Sequence, residues 1–143
     1  MREKTHADFR MLREGIGLSQ ADVADALDVT QRSVQRWEKP GEYGAPDFAW
    51  AWLYEMQDLF ASMVEAGTAS LDGAPDGAAL QVAYYRSQRE HDEHGRDDGY
   101  YGMVNAATRE VVRIARDRGI EVTAMFPEEA TGALESAQRE TRR

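Results

Sequence analysis

The stretch "TQRSVQRWEK" carries four side chains that could form hydrogen bonds with the edges of base pairs: Gln31, Arg32, Gln35 and Arg36. Their spacing would place them together at the outer face and front end of one short helix. A guanidinium can bond guanine bidentately in the major groove, and a carboxamide can do the same to adenine. The pattern therefore indicates chemistry of the kind that reads double-stranded DNA.

The neighbouring residues predict two short helices joined by a tight turn, and these would hold the four side chains in place. Ser19 and Thr30 are residues whose hydroxyl can cap a helix. Asp28 lies between the helices and tolerates the left-handed backbone of a turn. Pro40 ends the second helix because it cannot continue one. The positions predicted to face inward are apolar: Val23, Ala24, Leu27, Val29, Val34 and Trp37.

With its Ser19-Gln20 start, small Ala24, turn at Asp28 and Trp37-Glu38 pair, the segment resembles the helix-turn-helix of the lambda-repressor/Cro-like (Xre) family. Asp28 departs from the family, which most often has glycine there. The resemblance covers residues 5 to about 66 and implies an N-terminal five-helix DNA-binding domain. By position it implies base contacts from Gln31, Arg32, Gln35 and Arg36, and phosphate contacts from Ser19, Gln20, Thr30 and Lys39. The alternative is an ordinary helical hairpin whose polar face meets only water.

The formal net charge of −9 does not argue against DNA binding, because the acid is unevenly distributed. Residues 1–46 have a net charge of −1, and residues 47–143 have −8. The face predicted to meet DNA needs Arg32, Arg36, Lys39 and either Arg10 or Arg13. Acid elsewhere weakens non-specific attraction, which scales with the number of phosphates neutralised.

The rest of the chain predicts an α+β fold. A long apolar helix should follow Pro46 and end at Gly67, so residues 1–67 form the helix-turn-helix domain with a long fourth or fifth helix. Residues 68–79 are small and contain Gly and Pro, which is typical of a linker. Residues 80–127 then give a strand (80–85), a helix (100–118) and a strand (120–126), a small β-α-β unit whose strands should be parallel in one sheet. Residues 128–143 form a tail.

Two strands make a marginal sheet alone, so we expect the β-α-β unit to form a homodimer. The residues predicted to contribute are Tyr84, Tyr85, Val104, Val111 and Val122. This half resembles anti-CRISPR-associated regulators in its "YY" pairs and its strand-helix-strand order. That resemblance implies a dimer that represses its own operon at an inverted repeat.

The sequence gives weaker support for metal binding, for stacking on bases, for a ligand pocket and for catalysis. "HDEH" (91–94) has two histidines three apart, which suits a metal on a helix, but the glycines and aspartates that follow favour a solvated loop. The tyrosine pairs could stack on nucleobases, and Met56, Met63, Trp50 and Trp52 could line a ligand pocket, although packing explains both sets. The chain has no cysteine. No motif indicates a catalytic site, a metal or a cofactor.

The sequence thus favours a small dimeric transcription repressor that binds a double-stranded operator. The start of the chain lacks a secretory signal and no apolar run is long enough to span a membrane, so we expect a cytoplasmic protein. Two alternatives stay open. The acidic C-terminal half could bind a toxin, as in an antitoxin, or the helix-turn-helix could serve protein interaction without reading DNA.

Overall fold

The computed structural model describes residues 4–75 and 77–130. Eight elements follow one another along this part of the chain: α1 (His6–Gly15), α2 (Gln20–Leu27), α3 (Gln31–Trp37), α4 (Asp47–Asp72), β1 (Ala79–Ala83), α5 (Gln88–His94), α6 (Tyr101–Asp117) and β2 (Glu121–Met125). The predicted α+β class agrees with this helix-rich chain and its small sheet. Within the same residues, no helix is both long enough and apolar enough to cross a membrane.

The first four helices pack around one aromatic and aliphatic core. Phe9 of α1 is fully buried, and its ring meets those of Trp37 and Trp50 edge-on at centroid distances of 5.8 Å and 5.2 Å. Such T-shaped pairs stabilise a core beyond the area that they bury. Val23, Val34 and Leu53 complete its fully buried centre. Phe48 and Leu59 belong to the apolar pattern of the long helix, yet both are exposed.

The described part of the N-terminal half has four helices where the resemblance implied five, and α4 runs without a break from Asp47 to Asp72. The predicted end at Gly67 is wrong. Gly67 lies inside α4 and faces α6 closely: a Cβ there would stand 2.6 Å from Cγ2 of Val111. Leu71, one turn further, is buried. Residues 68–72, which the sequence assigns to a linker, are therefore helical.

The C-terminal half contains a two-stranded parallel sheet. β1 pairs with β2 in a register that runs from Ala79 opposite Glu121 to Ala83 opposite Met125. Both strands are one or two residues shorter than predicted at their carboxyl ends, so Tyr84 and Tyr85 follow β1. Two helices connect the strands instead of one, because residues 88–94 form α5. Most of the predicted tail, residues 131–143, lies outside the described residues.

The C-terminal half packs directly on the helix-turn-helix. Met103 of α6 is fully buried in the same core as Phe9, and Tyr100 packs against that core. The backbones of Gly17, between α1 and α2, and Gly102 come so close that a Cβ on either would collide with the carbonyl oxygen of the other. One hydrophobic core therefore continues across the segment that the sequence assigns to a linker.

Replacing Gly17 with alanine should show how much the close contact between Gly17 and Gly102 matters for the free energy of unfolding. The backbone at Gly17 has φ +80°, and Gly41 has φ +88° with nothing near its Cβ position. We expect Gly41→Ala to cost only the left-handed strain, about 1–2 kcal/mol. Gly17→Ala should cost about 1–3 kcal/mol more through overpacking against α6. Urea unfolding of both variants measures the difference, and equal losses would contradict the close packing of the two halves.

Candidate nucleic-acid interface

The helix-turn-helix is formed by local interactions that the sequence predicts. Ser19 Oγ accepts a hydrogen bond from the Asp22 N–H at 3.0 Å, and Asp22 Oδ2 accepts one from the Ser19 N–H at 2.9 Å, which completes a capping box before α2. Asp28 then adopts φ 52° and ψ 47°, in the left-handed region. Both the predicted cap and the predicted turn are confirmed.

The recognition helix α3 is short and depends on its surroundings. Thr30 Oγ1 caps it by accepting from the Ser33 N–H at 3.1 Å. Val34 is fully buried and Trp37 nearly so. Seven residues are too few for a helix that is stable in isolation, so these core contacts hold α3 in its conformation.

The four predicted base-reading side chains lie on the solvent side of α3. Gln31, Arg32, Gln35 and Arg36 are all exposed, whereas Val34 and Trp37 on the same helix are buried. Within residues 4–75 and 77–130, the side chains of Arg32 and Arg36 form no ion pair and no hydrogen bond. Both guanidinium groups are thus available to a ligand. Their contact with bases stays a prediction.

A buried ion pair joins the end of α3 to α1, and the sequence did not predict it. The Nε and Nη2 atoms of Arg13 donate to Glu38 Oε2 and Oε1 at 2.8 Å and 2.7 Å, with 9% and 3% of the two side chains exposed. Arg13 Nη1 also donates to the Leu18 carbonyl at 2.9 Å. The hydrogen bonds to Glu38 raise the pKa of Arg13 further above its ordinary value, although burial opposes them.

This ion pair removes Arg13 from the basic face on which the sequence placed it. Arg10, the other candidate, is exposed and pairs with Glu14 at 3.0 Å on α1. Glu38 directly follows α3, so its bidentate hydrogen bonds to Arg13 hold the end of α3 against α1 and fix the orientation of α3. His6 Nδ1 lies 2.7 Å from the Trp37 carbonyl oxygen and forms a second link between the same two helices.

The four predicted phosphate-contacting residues surround the ends of α2 and α3. The hydroxyls of Ser19 and Thr30 already serve as caps. The side-chain amide of Gln20 donates to Glu38 Oε1 at 3.3 Å, so it belongs to the network of the buried ion pair. Lys39 is exposed just after α3. Phosphate binding by these four residues stays a prediction.

The residues assigned to dimerisation are half-buried, and several contact their own chain. Val104, Val111 and Val122 line a cavity of about 490 Å³ between α4, α6 and the sheet. The Tyr84 hydroxyl accepts a hydrogen bond from Arg109 Nη1 at 2.7 Å. The Tyr85 ring meets the His91 ring edge-on at 5.0 Å.

Residues 91–94 lie in α5, so the predicted loop is wrong, whereas the predicted solvation is confirmed for Asp92, Glu93 and His94. His91 is fully buried, and its Nε2 lies 3.1 Å from Asp97 Oδ1. His94 is half-exposed at the end of the helix. In the part of the chain that the structure describes, no group of three or more His, Cys, Asp or Glu residues is arranged to hold a metal ion.

Comparison with known families gives independent support for the helix-turn-helix. Residues 9–43, from α1 to the loop after α3, match the model of the helix-turn-helix family. This part of the chain is therefore similar to the helix-turn-helix family, which supports a DNA-binding regulator. The chain matches no curated protein. Neither result supports the resemblance of the C-terminal half to anti-CRISPR-associated regulators.

Breaking the buried ion pair should strongly destabilise the domain. Arg13→Met leaves the Glu38 carboxylate buried without its partner, so we expect a loss of about 3–5 kcal/mol in the free energy of unfolding. Arg10→Met is the matched control on the same helix, because it removes only an exposed pair worth less than about 1 kcal/mol. Denaturant unfolding tests both variants.

The double variant Arg13→Met/Glu38→Met removes both charges and should recover most of that loss, since no buried charge is left unpaired. If Arg13→Met costs no more than Arg10→Met, the buried pair does not hold the helices together.

Proposed function

We propose that the protein is a sequence-specific DNA-binding transcription regulator and that α3 is its recognition helix. The observation that carries this proposal is the contrast between the two sides of α3. Its inner side is held by buried Val34 and Trp37. Its outer side presents two glutamines and two arginines whose side chains have no partner among the described residues. A polar, unengaged face on a rigidly held helix is what entry into a major groove about 12 Å wide requires.

The chemistry of each of the four side chains determines which base it would recognise. Arg32 and Arg36 suit the two acceptors of guanine, and Gln31 and Gln35 suit the donor and acceptor of adenine. The arginines also contribute positive charge where the duplex approaches. Specificity would therefore come from a small number of hydrogen bonds in each half-site.

Groups at the ends of α2 and α3 would hold the register on the duplex without reading its sequence. Gln20 has one amide N–H directed at Glu38, and its second N–H can bond a phosphate oxygen. Lys39 adds a charge beside α3. The capping hydroxyls of Ser19 and Thr30 lie at helix N-termini, where backbone N–H groups also favour anions.

The negative charge of residues 47–143 would limit binding to the DNA site that the protein recognises. The net charge of residues 47–143 is −8, and that of residues 1–46 is −1. Since non-specific affinity follows the number of phosphates neutralised, such a protein gains little from random DNA. A few correct base contacts then decide where it binds.

A homodimer is part of the proposal, because one helix-turn-helix covers only a half-site. Two recognition helices about 34 Å apart would fill successive major grooves of an inverted repeat. Repression would follow from occupancy, since the bound dimer blocks polymerase at a promoter in the cytoplasm.

Substitutions on α3 test the proposal directly. Arg32→Ala and Arg36→Ala should each weaken binding to the DNA upstream of the protein's own gene by about 1–3 kcal/mol per half-site contact. Arg89→Ala, which removes an exposed arginine paired with Glu93 on α5, should leave the affinity unchanged. Electrophoretic mobility shifts at fixed salt give the three affinities.

If both α3 variants bind this DNA as tightly as the unmodified protein, α3 does not read bases. The helix-turn-helix would then serve protein interaction.

A further inference from the structure

The outer side of β2 carries backbone groups that pair with nothing in the described chain. The Tyr84 N–H donates to the Met125 carbonyl at 2.9 Å, which extends the ladder beyond β1. Backbone groups alternate sides along a strand, so those of Thr123 point toward β1 like those of Met125. The N–H and C=O groups of Val122 and Ala124 therefore point away from the sheet. Such an edge is a template for another strand.

The helix side of β2 is also incompletely covered. Ala124 is opposite Val82 in the register, so both side chains lie on the face that packs toward α6. Val82 is half-buried there, but Ala124 is exposed. Beside Ala124 an open cleft of about 560 Å³ runs between the sheet and α6, next to Tyr84 and Val112.

On the corresponding side of β1, α4 of the same chain forms one wall of the cavity of about 490 Å³ that lies between α4, α6 and the sheet. α4 packs along α6 there, with Gly67 against Val111. Arg118 Nη1 bonds Asp72 Oδ1 at 2.6 Å and ties the carboxyl ends of the two helices together. The open flank of the sheet is thus the one beside β2.

We propose that β2 pairs antiparallel with β2 of a second copy of this chain, about a two-fold axis at Thr123. Val122 of each copy then faces Ala124 of the other. Two residues opposite each other in this way exchange both hydrogen bonds, so the outward groups of both strands are satisfied. Glu121 faces Met125 of the second copy, which avoids like charges directly opposite each other.

The result is a continuous four-stranded sheet in the order β1-β2-β2-β1. Three or more strands with an apolar face are stable where an isolated pair is marginal. The charged residues of α6 that line this cleft include both signs, so two copies do not meet with surfaces of a single sign: Arg109, Arg113, Arg116 and Asp117.

This inference rests on the homodimer of the proposed function and assigns its interface. It places Val122, one of the residues predicted for dimerisation, beside the axis, and Tyr84, another, lines the open cleft next to it. It leaves Val111 in its contact with α4 of the same chain.

Single cysteines test the interface, because the chain has none of its own. At the two-fold axis, Thr123 of the two copies forms a non-hydrogen-bonded pair with Cα atoms about 4.5 Å apart, within disulfide range. Gln81→Cys is the matched control, since Gln81 is opposite Thr123 and reports on the outer edge of β1. Both side chains are exposed, so neither variant disturbs the core.

We expect oxidised Thr123→Cys to form a covalent dimer on the order of 100-fold faster than Gln81→Cys at micromolar concentration, because pairing raises the local thiol concentration. Non-reducing gels give the rates, and sedimentation of the reduced variants gives the oligomeric state. Cross-linking of Gln81→Cys instead would overturn the assignment, as would a reduced dimer in which Thr123→Cys links no faster than the control.

The same samples separate this inference from the proposed function. If the protein is a dimer that shifts operator DNA but does not link at Thr123, only the β2 interface is refuted. If the protein is a monomer that shifts the DNA, both the β2 interface and the homodimer are refuted, whereas recognition by α3 is not.

Discussion

The bidentate ion pair between Arg13 and Glu38 is the constraint on which the candidate interface depends. It joins α1 to the end of α3 with charge-assisted hydrogen bonds in a site where little of either side chain meets water. Because α3 has only seven residues, its orientation comes from such contacts and not from its own stability. The exposed side of α3 therefore has a fixed orientation relative to the rest of the domain. Recognition of bases through hydrogen bonds requires such a fixed orientation.

Burial separates the role of Arg13 from that of the two arginines on α3. Arg13 has its charge balanced inside the fold, whereas Arg32 and Arg36 keep theirs on the surface. The C-terminal half adds a further constraint, because Met103 lies in the core of the helix-turn-helix and Gly17 meets Gly102. In a dimer joined through that half, packed helices would set the distance between the two recognition helices, with no flexible tether between them.

The helix-turn-helix could be predicted from the sequence because its determinants are local. The caps at Ser19 and Thr30 and the turn at Asp28 act within a few residues, and apolar spacing identifies the inner face. Contacts between distant residues could not be predicted in this way. The partner of Arg13 lies 25 residues away, Gly67 packs against Val111 of another helix, and the polar pattern around His91 conceals a buried ring.

Methylation interference on the operator tests most directly whether α3 reads bases in the major groove. Methyl groups at guanine N7 occupy the acceptor that a bidentate arginine needs. If α3 reads bases, such methylation at one or two guanines in each half-site blocks binding, and methylation at one of them no longer affects binding by an Arg36→Ala variant. Interference confined to adenine N3, in the minor groove, or an identical pattern for the variant would contradict base reading by α3.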